Sequence, residues 1–244
     1  MRLFWLIAAF VVALASGTPT ALAQARMALV IGNAAYQFNP PLKNTVNDAR
    51  LVGATLRSVG FEVTTASNLT RADLDRVLRQ FLGAVAGKGK DVVVFVFYAG
   101  QGVEIAGENF MLPVDIRIQR EADILAEGLP LSTLLSSLSL LPAATRIVVF
   151  DTSRSNPFPS ANRAAGTVDV PAGSLVAFST SPGTEASEGA GANSPYAVAL
   201  AEVIKERGVP IDQAFKKLRE KVSGATSGQQ IPQETSTLAT PFAF

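Results

Sequence analysis

The sequence predicts an α/β fold: a mostly parallel, twisted sheet of about six strands sandwiched by helices, with a small β-hairpin attached. Two observations carry this. Apolar runs of strand length alternate with amphipathic stretches of helical period, as in βαβ units whose parallel strands are covered on both faces. One run, Asp-Val-Val-Val-Phe-Val-Phe-Tyr-Ala-Gly-Gln-Gly at residues 91–102, is apolar or aromatic without a break from Val92 to Tyr98. It is far shorter than the roughly 20 residues of a membrane span, and its β-branched content suits a strand buried on both faces. The run stops at Gly100 and Gly102, where missing side chains let the backbone turn and lie close to another group. The carboxyl end of a central strand is where open α/β sheets bind ligands. This stretch therefore supplies both the middle of the core and one wall of a site.

The remaining elements follow in order. Residues 26–31 read as the first strand, ending at Gly32-Asn33. Val46, Ala49, Val52, Leu56 and Val59 recur at spacings of three and four, so 46–59 is an amphipathic helix closed by Gly60. Residues 61–66 form a second strand. Thr70 caps a helix to about Ala86, with Asp73 in its first turn and Leu74, Val77, Leu78, Phe81 and Leu82 on its apolar stripe. After the central strand, 103–105 and 109–112 flank Ala106-Gly107-Glu108 as a hairpin, and Asp115 is a turn residue. Pro130 opens a helix over 131–140, and 146–150 is the next buried strand. An irregular loop rich in Pro, Ser, Ala and Gly spans 155–173; a strand at 174–179 and a polar loop at 180–193, with Glu185 and Glu188, follow. Helices at 195–206 and 210–222 and a short strand near 235–239 complete the chain.

The amino terminus carries one basic residue, Arg2, then the apolar run 3–14 and Ala21-Leu22-Ala23 before Gln24. This pattern predicts a secretory signal peptide over 1–23, cut after Ala23, and hence an exported protein, periplasmic or secreted; an uncleaved membrane anchor is the alternative. Residues 24–244 then make one domain. The 21 basic and 20 acidic residues become equal once Arg2 is lost, which speaks against a general affinity for nucleic acid or anionic membrane. The chain has neither cysteine nor histidine. It therefore offers no thiolate, no imidazole base and no spacing that suggests a metal or another cofactor.

Several short motifs stand in a definite order. They are Gly32-Asn33, Leu42-Lys43-Asn44-x-x-x-Asp48-Ala49, Tyr-Ala-Gly-Gln-Gly at 98–102, Gly107-x-x-x-x-Leu112-Pro113-Val114-Asp115, Asp-Thr-Ser-Arg at 151–154 and Asn193-Ser194-Pro195-Tyr196. Together they resemble the caspase-like cysteine peptidases, most nearly the bacterial metacaspase and orthocaspase branch. That family carries Tyr-x-Gly-His-Gly at the first strand end and Asp-x-Cys-Arg at the second, a histidine base and a cysteine nucleophile. Here the matching positions hold Gln101 and Ser153.

A carboxamide cannot accept the proton that a serine hydroxyl must lose to attack a carbonyl. Disabling such a unit removes on the order of 10⁶ in rate. Rescue requires another base, and Lys43 is the lysine to consider first. The resemblance further implies that Asp48 and Asp151 form a pocket for Arg or Lys, and that the backbone N–H groups of Gly102 and Ser153 form an oxyanion-hole-like site. It also implies that Ala177, Phe178, Ser179 and Thr180 pair with a bound peptide. Local readings coexist with these. Asp48 favours a helix dipole wherever it sits in the first turns, Asp151 at a strand end can cap a loop, and Gln101 and Ser153 can be polar filler. The expectation is an exported pseudopeptidase that binds a basic peptide or an active relative. The alternatives are an endopeptidase using Ser153 to cut after Arg or Lys, and an interaction domain using an outer face.

Overall fold

The computed structural model describes residues 24–158 and 168–244. The expected signal segment and the middle of the 155–173 loop lie outside them. In chain order the elements are β1 (Arg26–Gly32), α1 (Thr45–Ser58), β2 (Glu62–Ser67), α2 (Arg71–Ala86), β3 (Val92–Ala99), β4 (Gly102–Ile105) and β5 (Glu108–Met111). Then come α3 (Glu121–Glu127), β6 (Leu129–Pro130), α4 (Leu131–Ser139), β7 (Ala143–Asp151), β8 (Ser174–Phe178), α5 (Pro195–Lys205), α6 (Ile211–Ala225) and β9 (Gln233–Ser236).

Every residue of β3 is buried, as a strand apolar on both faces must be. It lies between β1 and β7 in a six-stranded sheet of order β2-β1-β3-β7-β8-β9. All neighbours run parallel except β9, which runs against β8. That last strand begins two residues before the stretch its sequence suggested. Alternate side chains of the strands feed two clusters. On one face Val30, Phe95, Phe97 and Val149 pack with Val52, Leu56, Leu200 and Leu218 from α1, α5 and α6. On the other, Leu29, Val94, Val96 and Phe150 meet Leu74, Phe81 and Leu134 from α2 and α4.

Local chemistry sets the ends of these helices. Gly60 follows α1 with φ at 91° and donates its N–H to the Arg57 carbonyl at 3.1 Å. The Thr70 hydroxyl accepts the Asp73 N–H at 3.2 Å and donates to the Asp73 carboxylate at 2.8 Å. Asp115 Oδ1 also accepts the Arg71 N–H at 2.9 Å, so this turn residue holds the start of α2 as well. β4 and β5 form the expected hairpin, turning through Ala106 and Gly107, both with positive φ. Two elements had no counterpart in the sequence reading: α3, and β6, which adds a third antiparallel strand to the hairpin. Only Ile124 of α3 is buried, so that helix has no apolar stripe for a periodicity to reveal.

Gly32 fixes how α1 sits on the end of β1. A Cβ there would lie 2.5 Å from the Thr45 carbonyl oxygen and 3.0 Å from Val46 Cα, both backbone atoms of α1's first turn. Gly32→Ala is expected to cost about 1–3 kcal/mol through overpacking. Urea denaturation measures it as a lower midpoint at constant slope. An unchanged midpoint would show that the helix is not seated this tightly.

Candidate functional site

β3 and β7 pair in register up to Ala99 and Asp151, so the segments leaving them are neighbours. Gly102 makes the close approach possible. A Cβ at that position would fall 2.5 Å from Thr152 Oγ1 and 3.0 Å from the Ser153 carbonyl oxygen. Around these two strand ends lies a cavity of about 550 Å³. Gln101 and Gly102 from the β3 side, Asp151 and Ser153 from the β7 side, and Asp48 from α1 all line it. The motifs separated by a hundred residues in sequence thus meet in one place.

The two acids are held by a single residue. The Ser194 backbone N–H donates to Asp48 Oδ1 at 2.9 Å, and the Ser194 hydroxyl donates to Asp151 Oδ2 at 2.6 Å. The same hydroxyl accepts the Ala197 N–H at 3.0 Å, making Ser194 the N-cap of α5. Asn193 Nδ2 adds a second donor to Asp48 Oδ1 at 2.9 Å. Asp48 and Asp151 are only 1% and 6% exposed, so neither carboxylate is freely hydrated. Burial, and then the nearby charge of Asp48, push the Asp151 carboxyl up to about 7. Burial also raises Asp48, partly offset by its bonds from Asn193 and Ser194.

The positions that would carry catalysis are occupied by neutral groups engaged in structure. Gln101 Nε2 donates to the Pro40 carbonyl at 2.8 Å, and the Gln101 N–H donates to the Tyr36 hydroxyl at 2.7 Å. Ser153 Oγ accepts the Ala186 N–H at 3.1 Å. No hydrogen bond joins Gln101 to Ser153 among the described residues. Lys43 is not among the residues lining the cavity; its backbone N–H binds Glu188 Oε2 at 2.7 Å. All four ionisable residues that line the cavity among those described are acids: Asp48, Asp151, Glu185 and Glu188.

The loop before α5 stays largely exposed but is tied to the start of α1 beside this site. Asn44 Nδ2 donates to the carbonyls of Glu188 and Gly191 at 2.6 and 3.1 Å. Glu185, Ala186, Ser187 and Glu188 consequently line the cavity.

The expected peptide-pairing strand requires correction. Ala177 and Phe178 already pair with Val149 and Phe150 of β7 on one side and with Glu234 and Gln233 of β9 on the other. The Ser179 N–H binds the Phe150 carbonyl at 2.8 Å, and the Ser179 carbonyl accepts from Gln230 Nε2 at 2.8 Å. Thr180 is fully buried, its hydroxyl bonded to that of Thr184. A strand with both flanks occupied cannot add a further one; in this connection it is 185–188 that faces the cavity.

A buried ion pair behind the site was not read from the sequence. Arg154 Nη2 lies 2.8 Å from Glu104 Oε2, Arg154 Nε donates to Asn109 Oδ1 at 3.1 Å, and the guanidinium sits 4.1 Å over the Phe178 ring. Arg154 was legible as the last residue of Asp-Thr-Ser-Arg. Its partner Glu104 was not, since nothing in Val-Glu-Ile marks the middle residue as buried. The pair ties β4 and β5 to the segment leaving β7, and so helps to fix Ser153.

Fold and cleft together define a class: a helix-covered α/β sheet with an acidic cleft built on two adjacent strand ends. The family model of the caspase domain matches residues 25–243, and the chain belongs to the caspase-domain family. It is similar to the human mucosa-associated lymphoid tissue lymphoma translocation protein 1, with 35% identity over 98 residues, 40% of this chain but 12% of that protein. The mouse homologue gives 35% over 94 residues, 38% of this chain and 11% of its own length. The chain thus matches only about an eighth of those relatives. Among solved structures, caspase-1 from Spodoptera frugiperda shares the fold, with a TM-score of 0.67 over 88% of each chain and 17% identity.

The acid pair has a measurable consequence. Folded Asp151 keeps its proton up to about 7, whereas an unfolded aspartate releases it near ~3.9. The native state therefore binds more protons across that window, and Asp151 lowers stability as pH rises through it. Asp151→Asn cannot ionise. Its stability relative to the parent chain should rise between about pH 4 and pH 7 and level off above that, as read by urea unfolding at several pH values. Parallel curves would mean that Asp151 is not raised.

Proposed function

We propose that this chain is a hydrolytically inactive caspase-domain protein whose cleft binds the cationic side chain of an Arg- or Lys-containing peptide. One observation carries the reading: two buried carboxylates held side by side in a cavity whose described ionisable lining is entirely acidic. A guanidinium can engage paired carboxylates with forked, charge-assisted bonds worth about 1.5–3 kcal/mol each. An ammonium fits as a point charge. A cation beside Asp151 favours its ionised form, so binding releases a proton when the pH lies below about 7.

Hydrolysis lacks its means. Among the described residues Ser153 has no basic partner, and the Gln101 carboxamide can neither accept a proton nor polarise the hydroxyl. Gly102 and Ser153 line the same cavity, and their backbone N–H groups are the donors that the reading assigns to a bound peptide. The partner is a basic peptide segment, free or presented by an active relative. The amino-terminal segment 1–23 supports an exported setting for that encounter.

Calorimetry with short Arg and Lys peptides at pH 8 is expected to show saturable binding, with affinity falling as pH drops below 7 and at least about tenfold weaker in Asp48→Asn. Failure of any such peptide to bind would remove the reading and leave an outer face as the interaction surface. Fluorogenic Arg and Lys amides should show no turnover; turnover abolished by Ser153→Ala would establish a serine peptidase instead.

A reconstruction tests the intactness of the cleft. Gln101→His combined with Ser153→Cys restores an imidazole and a thiol to adjacent strand ends, and should yield thiol-dependent cleavage of the same amides. Peptide binding by this variant without any cleavage would show that the strand ends no longer hold the two groups in reactive geometry.

A further inference from the structure

At the opposite end of the sheet a second cavity, of about 650 Å³, opens where β1 begins and α1 ends. Arg26, Arg57 and Arg207 all line it, and no Asp or Glu does so among the described residues. The acids nearest to these residues in sequence, Glu62 and Glu206, are paired elsewhere, with Lys88 and Lys217. No ion pair engages any of the three arginines among the described residues.

Part of this arrangement is structural. Arg26 Nη1 and Arg207 Nη2 donate to the Val59 and Ser58 carbonyls, at 3.3 and 3.2 Å, which lie at the carboxyl end of α1. Arg57 Nη2 donates to the Val63 carbonyl at 3.2 Å and to Thr65 Oγ1 at 2.9 Å. A helix end presents roughly half a negative charge, and one guanidinium is enough to answer it. Three guanidiniums exceed what that helix end and the α-carboxylate of Phe244, which also lines the cavity, together offset, so the lining keeps a net positive charge that favours an anion. Arg26 cannot swing away, because it lies between the rings of Phe61 and Phe242, 5.6 and 5.5 Å from their centroids. Each guanidinium retains N–H groups not spent on those carbonyls, and forked donors of this kind match oxyanions.

We infer that this cavity is an oxyanion site for a phosphate group. A lining that carries several guanidiniums suits a group with several charged oxygens better than a single carboxylate. The phosphate comes from a soluble phosphate compound or from a lipid headgroup, and the test separates these sources. The site is independent of the acidic cleft, so neither reading depends on the other.

The full chain is titrated calorimetrically with inorganic phosphate and with pyrophosphate, against sodium chloride at matched ionic strength. Saturable binding is expected, stronger for pyrophosphate, and weakened about tenfold in Arg207→Ala and in Arg57→Gln. These two residues are exposed, so thermal melting should show both variants folded; Arg26 is left intact because the two rings rest on it. Flotation with phosphatidylcholine vesicles, with and without phosphatidic acid, forms the second arm. Binding of the vesicles that contain phosphatidic acid, lost in the same variants, supports the site and names a headgroup as its ligand. Absence of saturable binding in both arms, or equal affinity in parent and variants, overturns the inference.

Discussion

Burial of β3 on both faces is the constraint from which the rest of the architecture follows. A strand with no polar face must be covered by helices on either side, and parallel neighbours reached through helical crossovers do this. Once both faces are closed, the sheet can present chemistry only at its ends. The carboxyl end is where β3 and β7 stop in register and where their motifs meet. The amino end is where β1 starts, beside the last turn of α1. The described linings of the two ends differ in sign, one carrying acids and the other arginines. A chain whose charges nearly cancel overall can therefore still present two strongly charged and separate surfaces.

At the carboxyl end, the packing of α5 decides the electrostatics. Ser194 caps that helix and in the same position grips both carboxylates, so docking α5 onto the sheet brings the two acids together. The helix's amino-terminal dipole and the donors of Ser194 and Asn193 offset part of the repulsion. Burial, and after it the charge of Asp48, still keeps the Asp151 carboxyl raised to about 7. A structural cap for α5 would need only the serine. The second acid adds a burden that the fold itself does not require.

The sequence made the sheet legible because its strands are apolar on both faces and its helices on one stripe, which are the patterns burial imposes. The order of motifs likewise made Asp48, Gln101, Asp151 and Ser153 recognisable as one site. Other features had no such signature. α3 buries one residue and so shows no period. Glu104 lies inside only because Arg154 comes from another part of the chain to meet it, a pairing without local trace. The peptide-pairing assignment of 177–180 failed for a topological reason: β9 returns antiparallel and covers the free flank of β8, and pairing between such distant segments cannot be read from either alone. The role of Ser194 was hidden in the same way, since a helix cap is visible in Ser-Pro but the two carboxylates it grips are not.

The replacements at 101 and 153 also bear on what kind of cleft survives. Gln101 and Ser153 are uncharged, and each has a hydrogen-bond partner, Pro40 for one and Ala186 for the other. Neither adds strain or unmet polarity, so the strand ends tolerate them at little expense. The carboxylate pair stands in contrast, since burial raises both groups, with the charge of Asp48 adding to it at Asp151 and that of Glu188 at Asp48. A cation in the cleft would convert that unfavourable pair into a favourable triad, as a neutral ligand could not. Among the groups that define the site, only the acids retain an energetic demand, and it is a demand for positive charge.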